Sequence, residues 1–166
     1  MLIGEGFAGD VPNGAHINLM LGAKTGPMGT AYAVAAASPG PGHVPFQVVL
    51  KLGVPAEPAT LFIAKANLRN PTHETMTWGP AQMGVAAGIT MAVLDGVLPA
   101  EARQDWVAIA CVWVHWEATD ADAVFANNRD AALAAARAAM RRDRISLDEL
   151  RQALESQGNS FYTPRR

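Results

Sequence analysis

The histidines and the cysteine of this 166-residue chain, the side chains that titrate nearest neutral pH, are scattered along it. Four histidines stand at His16, His43, His73 and His115, without the short pair spacing of a zinc site, so no metal is expected. An imidazole ordinarily titrates at about 6.5 and can give and recover a proton near neutral pH, which suits a histidine to general acid work. On residue type alone, however, a lone histidine on a strand is more often structural than catalytic. The one thiol, Cys111, excludes an intrachain disulfide, and its place in the apolar run Trp106 to Val114 predicts a buried, inert group. His115 and Glu117 flank Trp116 and could form an acid–base pair, although hydrogen bonding at a strand exit is the weightier reading. Gly79-Pro80 reads as an ordinary helix start rather than a phosphate loop.

The elements that position these groups follow from periodicity. Ala15 to Leu21 alternates, with Ile17, Leu19 and Leu21 on one side and His16, Asn18 and Met20 on the other, which predicts a half-buried strand carrying polar groups outward. Thr25-Gly26-Pro27 opens a helix through an alanine-rich stretch to Ala37, ended by Ser38-Pro39-Gly40-Pro41-Gly42. His43 to Leu52 alternates again, Val44, Phe46, Val48, Leu50 and Leu52 against Gln47 and Lys51, with Pro45 favouring an edge or strand start. Thr60 to Leu68 puts Lys65 and Asn67 on one strand face. Gly79-Pro80 places Gln82 in the first turn of a second helix, beside unpaired amide donors, with a stop at Asp95-Gly96. Pro99 to Asp105 forms a short helical turn. Trp106 to Val114 suits a central strand covered on both faces. The stretch after Asp120 to Arg142 predicts a long surface or interface helix. Ser146-Leu147-Asp148-Glu149 is a capping box for a last short helix, and the chain from Gly158 is expected to fray.

Half of the residues are hydrophobic and 17% are charged, which excludes a disordered chain and suggests extra apolar surface, either core or subunit contact. A net charge of −2 gives no global attraction to nucleic acid, although Arg137, Arg141, Arg142, Arg144, Arg165 and Arg166 gather late. The longest apolar run is too short to cross a membrane, and Met1 to Asp10 lacks a signal-peptide pattern, so a cytoplasmic protein is expected. No linker or repeat divides the chain. One domain over 1–166, with a C-terminal helical tail from about 143, and an α+β architecture in the form of a two-layer α/β sandwich are the expectations.

Four short segments, Gly4-Glu5 with Gly9-Asp10, Ala15-His16-Ile17, Gly79-Pro80-Ala81-Gln82 with Gly84-Val85-Ala86, and His115-Trp116-Glu117-Ala118, together resemble the formaldehyde-activating enzyme family in the right order. The resemblance spans most of the chain. It implies a lyase of one-carbon metabolism, of the 5,6,7,8-tetrahydromethanopterin hydro-lyase type, that condenses formaldehyde with tetrahydromethanopterin, or a related reduced pterin, to 5,10-methylene-tetrahydromethanopterin. The pterin would be a co-substrate, with no covalently bound cofactor. It also implies a fold similar to the second domain of ribosomal protein S5 and a homopentamer with pterin sites between subunits. The family's catalytic histidine falls on His16, and its pterin-site lysine and glutamine on Lys65 and Gln82. Three further substrate-site positions differ in type: Asn18 stands for an acidic residue, Asn67 for a threonine and Gln47 for a leucine. Met83 stands where a histidine is common.

Condensation of an aldehyde with an amine gives a carbinolamine, which loses water to an iminium that a second amine captures. Loss of water needs a proton donor, the role that fits His16, and general acid catalysis of this kind contributes about 10²–10⁴-fold. Amides such as Gln82 and Asn18 could pair with a pterin edge, and Lys65 could bind a ring carbonyl. Two other readings stay open: a non-catalytic formaldehyde- or pterin-binding protein that senses or buffers its ligand, and an interaction protein docking a partner through its C-terminal helices.

Overall fold

The computed structural model describes residues 1–141, 145–158 and 163–165, so the expected fraying from Gly158 falls largely outside the described residues. Strand β1 (Leu2–Ala8) pairs antiparallel with β2 (Ala15–Ala23), which pairs antiparallel with β7 (Trp106–Val114). Beyond β7 lies β6 (Ala59–Ala64), parallel to it, and then β3 (Phe46–Gln47), giving a five-stranded mixed sheet in the order β1-β2-β7-β6-β3. A short β4–β5 hairpin (Val49–Lys51, Val54–Pro55) stands apart. Helix α1 (Pro27–Ala37) crosses part of one sheet face. Helices α2 (Pro71–Met76), α3 (Gln82–Leu94), α4 (Ala102–Asp105), α5 (Ala121–Arg141) and α6 (Leu147–Glu155) complete an α+β architecture.

Alternation on β2 sorts the two faces. Ile17, Leu19 and Leu21 are fully buried and join Phe62, Val85, Ile89 and Val112 in the main core under α3 and α5. His16, Asn18 and Met20 take the other face, which α1 covers only around Met28, Leu61, Val107 and Ile109. Covering on both faces, expected for β7, therefore holds for its first half, and Cys111 is half-buried rather than buried.

The alanine-rich stretch expected at the surface or at an interface is instead the main covering helix. In α5, Ala131, Ala132, Ala135, Ala136 and Ala139 are buried against β1 and α3. Small side chains permit this approach: a Cβ on Gly6 would lie 2.0 Å from the Ala131 carbonyl oxygen, and one on Gly4 2.0 Å from that of Ala135. Gly4 and Gly6 thus turn a bare backbone towards α5, and the residue between them, Glu5, necessarily projects to the opposite face.

The alternation of His43 to Leu52 does not yield one strand. Val48 donates its N–H to Thr60 O at 3.0 Å and accepts from Ala56 N at 3.2 Å, so the chain passes from the main sheet to the hairpin at this residue. Val48 is fully buried, while Val44 and Leu52 at the ends of the apolar pattern are exposed. The second helix likewise starts earlier than Gly79-Pro80. Asn70 caps α2, accepting from His73 N at 2.8 Å, with Pro71 at the first position. The helix then runs through one wide π-type turn, Thr77–Ala81, into α3. That turn absorbs Pro80, whose missing N–H would break a regular α-helical ladder. Helix α3 stops at Gly96, which adopts φ +70. Helix α6 has the expected capping box between Ser146 and Glu149.

Candidate functional site

Three side chains converge on the half-open sheet face. Glu5 pairs in register with Asn18, one strand pleat from His16, and its Oε1 lies 2.5 Å from His16 Nε2. On the other side, Lys65 continues β6 by one ladder bond, its N–H reaching Val112 O at 2.8 Å, so its side chain shares the face of Ile63 and Leu61. Lys65 Nζ stands 3.3 Å from His16 Nδ1. A carboxylate only accepts and an ammonium only donates, which fixes the imidazole: Nε2–H donates to Glu5, and Nδ1 accepts from Lys65. The result is a continuous chain from Glu5 through His16 to Lys65, with His16 partly open to solvent at 27% side-chain exposure.

Burial pushes the Lys65 ammonium below its ordinary range, opposed by the nearby Cys111 and Glu5. Burial raises the Cys111 thiol, and Lys65 only partly offsets it. The thiol is therefore held in its unreactive protonated form, in keeping with an inert role.

The remaining predicted residues sit elsewhere. Gln82 is buried, and its amide is engaged with β4: Oε1 accepts from Val49 N at 3.1 Å and Nε2 donates to Val49 O at 3.5 Å. Gln47 Oε1 accepts from Tyr32 OH at 2.6 Å, and burial raises that phenol further into its neutral range. Both glutamines line a hollow of about 430 Å³ walled by Val44, Phe46, Val49 and Trp78. Asn67 does not share the face of Lys65. The strand ends at Ala64, and Asn67 turns to the Gly42 loop, lining an adjoining hollow of about 380 Å³ that also includes Val44, Phe46 and Trp78. Asn18 lies between Glu5 and Cys111 in the strand register, beside the His16 cluster. Within one chain, then, His16, Lys65 and Asn18 form one group, and Gln47, Gln82 and Asn67 a second around Trp78.

The other histidines are held by structure. His73 Nε2 donates to Val114 O at 3.0 Å and Nδ1 accepts from Arg69 N at 3.3 Å. His115 Nδ1 accepts from Glu117 N at 3.1 Å, and its ring stacks on Trp116 at 4.2 Å. His43 Nδ1 meets Ala64 O at 2.6 Å. Among the described residues, no three His, Cys, Asp or Glu side chains gather as a metal would require, and no helix is long and apolar enough to cross a membrane.

Sequence reasoning missed Glu5 as a site residue. The available signal was the Gly-Glu-Gly pattern: two glycines facing a helix force the intervening carboxylate onto the opposite face, where a β1–β2 hairpin would set it beside His16. Trp78 and Tyr32 were also unmarked, since nothing local distinguishes them from ordinary aromatic residues.

Residues 3–161 match the family model described as "Formaldehyde-activating enzyme (Fae)". The chain is 37% identical over 138 residues to the 5,6,7,8-tetrahydromethanopterin hydro-lyase of Methanosarcina barkeri, covering 82% of this chain and 78% of that protein. It is 37% identical over 139 residues to the bifunctional enzyme Fae/Hps of Methanothrix thermoacetophila, covering 84% and 36% of the two chains. With the bifunctional enzyme Fae/Hps of Methanococcoides burtonii it shares 36% identity over 128 residues, covering 77% and 32%. The chain thus spans about a third of the length of these bifunctional relatives.

Proposed function

The chain belongs to the formaldehyde-activating enzyme family, and from that premise we propose that it condenses formaldehyde with tetrahydromethanopterin, or a related reduced pterin, to the methylene derivative. The observation that carries the reading is the Glu5–His16–Lys65 chain of hydrogen bonds. His16 supplies the proton that turns the carbinolamine hydroxyl into departing water, and recovers it when the second amine closes the methylene bridge. Glu5 orients the ring and stabilises the imidazolium that donates this proton and is formed again when the proton is recovered. Holding pterin and aldehyde together supplies much of the remaining acceleration.

Two features support a site completed by assembly. The apolar hollow at Trp78, with its two glutamine amides, suits a flat heterocycle with a hydrogen-bonding edge. It belongs to a different group of residues from His16, as expected if one subunit brings the acid and its neighbour the ring-binding wall. The half-covered face, where Phe7 and Trp113 flank His16 in register and are themselves only partly buried, offers apolar surface for that contact. A homopentamer of ribosomal protein S5 domain 2-like subunits in the cytoplasm is the form of the protein in this reading.

Stopped-flow mixing of formaldehyde with tetrahydromethanopterin, and separately with tetrahydrofolate, tests it. The wild type accelerates condensation, and His16→Ala loses about 10²–10⁴-fold of that acceleration. Saturable pterin binding with no acceleration would overturn the enzyme reading and leave a binding protein.

A further inference from the structure

The chain contains three lysines, and Lys65 differs from the other two in burial and in the group its nitrogen faces. Lys24 and Lys51 are exposed, whereas Lys65 is half-buried. Its nitrogen faces the unprotonated Nδ1 of an imidazole at 3.3 Å, and that imidazole is anchored on its far side by Glu5. A lysine placed to hold a ligand by charge gains nothing from a base aimed at its nitrogen. A lysine that must lose its proton does.

Resting on the condensation reading above, we infer that Lys65 is a nucleophile that takes up formaldehyde covalently, as an iminium, before the pterin receives the carbon. Lys65 passes a proton to His16 Nδ1, and its free lone pair forms a C–N bond to the aldehyde carbon. The carbonyl oxygen takes up the proton displaced from nitrogen, giving the carbinolamine. The His16 imidazolium then protonates the hydroxyl, the C–O bond breaks, and water leaves a Lys65 iminium with His16 neutral again. A pterin amine adds to the iminium carbon, its proton moves to the Lys65 nitrogen, and the Lys65 C–N bond breaks. The carbon leaves as the pterin iminium, which the second amine captures with loss of a proton. No oxidant or reductant enters. Burial, which depresses the Lys65 pKa, enlarges the neutral fraction that such an attack needs. The neighbouring Cys111 thiol, raised by burial, does not compete as a thiolate.

Reductive trapping tests the step without any pterin. Formaldehyde at limiting concentration with cyanoborohydride converts each lysine iminium to a methylamine, which peptide mass mapping locates. Lys65 is expected to be methylated several-fold ahead of Lys24 and Lys51, and to keep that lead to lower pH because its proton is lost sooner. His16→Ala should slow methylation at Lys65 and leave Lys24 and Lys51 unchanged. Methylation of Lys65 no faster than of Lys24 would overturn the inference. In the stopped-flow assay Lys65→Arg, which keeps a cation beside His16 but forms no iminium, is expected to lose the acceleration while still binding pterin; a wild-type rate in that variant would also overturn it. Trapping at Lys65 without any acceleration of condensation would sink the condensation reading alone, and acceleration without trapping would sink the iminium alone.

Discussion

Because a carboxylate can only accept and an ammonium can only donate, the imidazole between Glu5 and Lys65 has one tautomer available, and Nδ1 is the nitrogen through which it can take up a proton and pass it to a reactant. The remaining histidines show how little residue type decides. His73 is buried between Val114 O and Arg69 N, and desolvation lowers its pKa, opposed by the Val114 hydrogen bond, with Arg69 and His115 adding to the depression. A histidine less basic folded than unfolded contributes stability that is present above its ordinary value of about 6.5 and is lost as pH falls through the depressed value. Urea midpoints of the wild type should therefore drop on acidification from about pH 7 to about pH 5, and less steeply in His73→Gln, which starts out less stable. Equal slopes in the two proteins would contradict this placement. His16 was legible as a candidate because it sits on the polar side of a clean alternation, whereas Glu5 required the register between two strands, which no single segment encodes.

At the scale of elements, β2, α1, β7 and α6 lie where local pattern puts them, since each carries its own signal: alternation, a proline start, a β-branched run or a capping box. The misread segments are those in which a tertiary contact overrides the pattern. The alternation of His43 to Leu52 is broken by Val48 crossing between sheets, and the Gly79-Pro80 helix start is absorbed into a helix already under way from Pro71. Helix α5 looked like a surface helix because its alanines are weakly hydrophobic, yet they are small for a reason, fitting against Gly4 and Gly6 on β1. Gly6→Ala drives a Cβ to 2.0 Å from a backbone oxygen, so β1 or α5 must shift. Thermal denaturation should show a loss of about 1–3 kcal/mol, the usual cost of overpacking, together with weakened activity because Glu5 rides on the same strand. An unchanged Tm would mean that the two elements yield more easily than their packing implies.

For the whole molecule, the separation of the His16 group from the hollow at Trp78 is the feature that composition foreshadowed only as surplus apolar surface. Asn67 illustrates the limit: extrapolating strand alternation two residues too far placed it beside Lys65, whereas the chain turns at the end of β6 and carries it to the Gly42 loop. In the proposed assembly, the Glu5–His16–Lys65 chain is the part of the site that one subunit supplies complete. The measurement that tests this most directly is a double-mutant cycle on the condensation rate with Glu5→Gln, His16→Ala and the pair. Glu5→Gln should lower the rate about tenfold, the low end of what a charge-assisted hydrogen bond supports for a carboxylate this exposed. The double variant should be no slower than His16→Ala alone, because Glu5 acts through the imidazole. Losses that simply add, or a Glu5→Gln variant as fast as the wild type, would contradict the account.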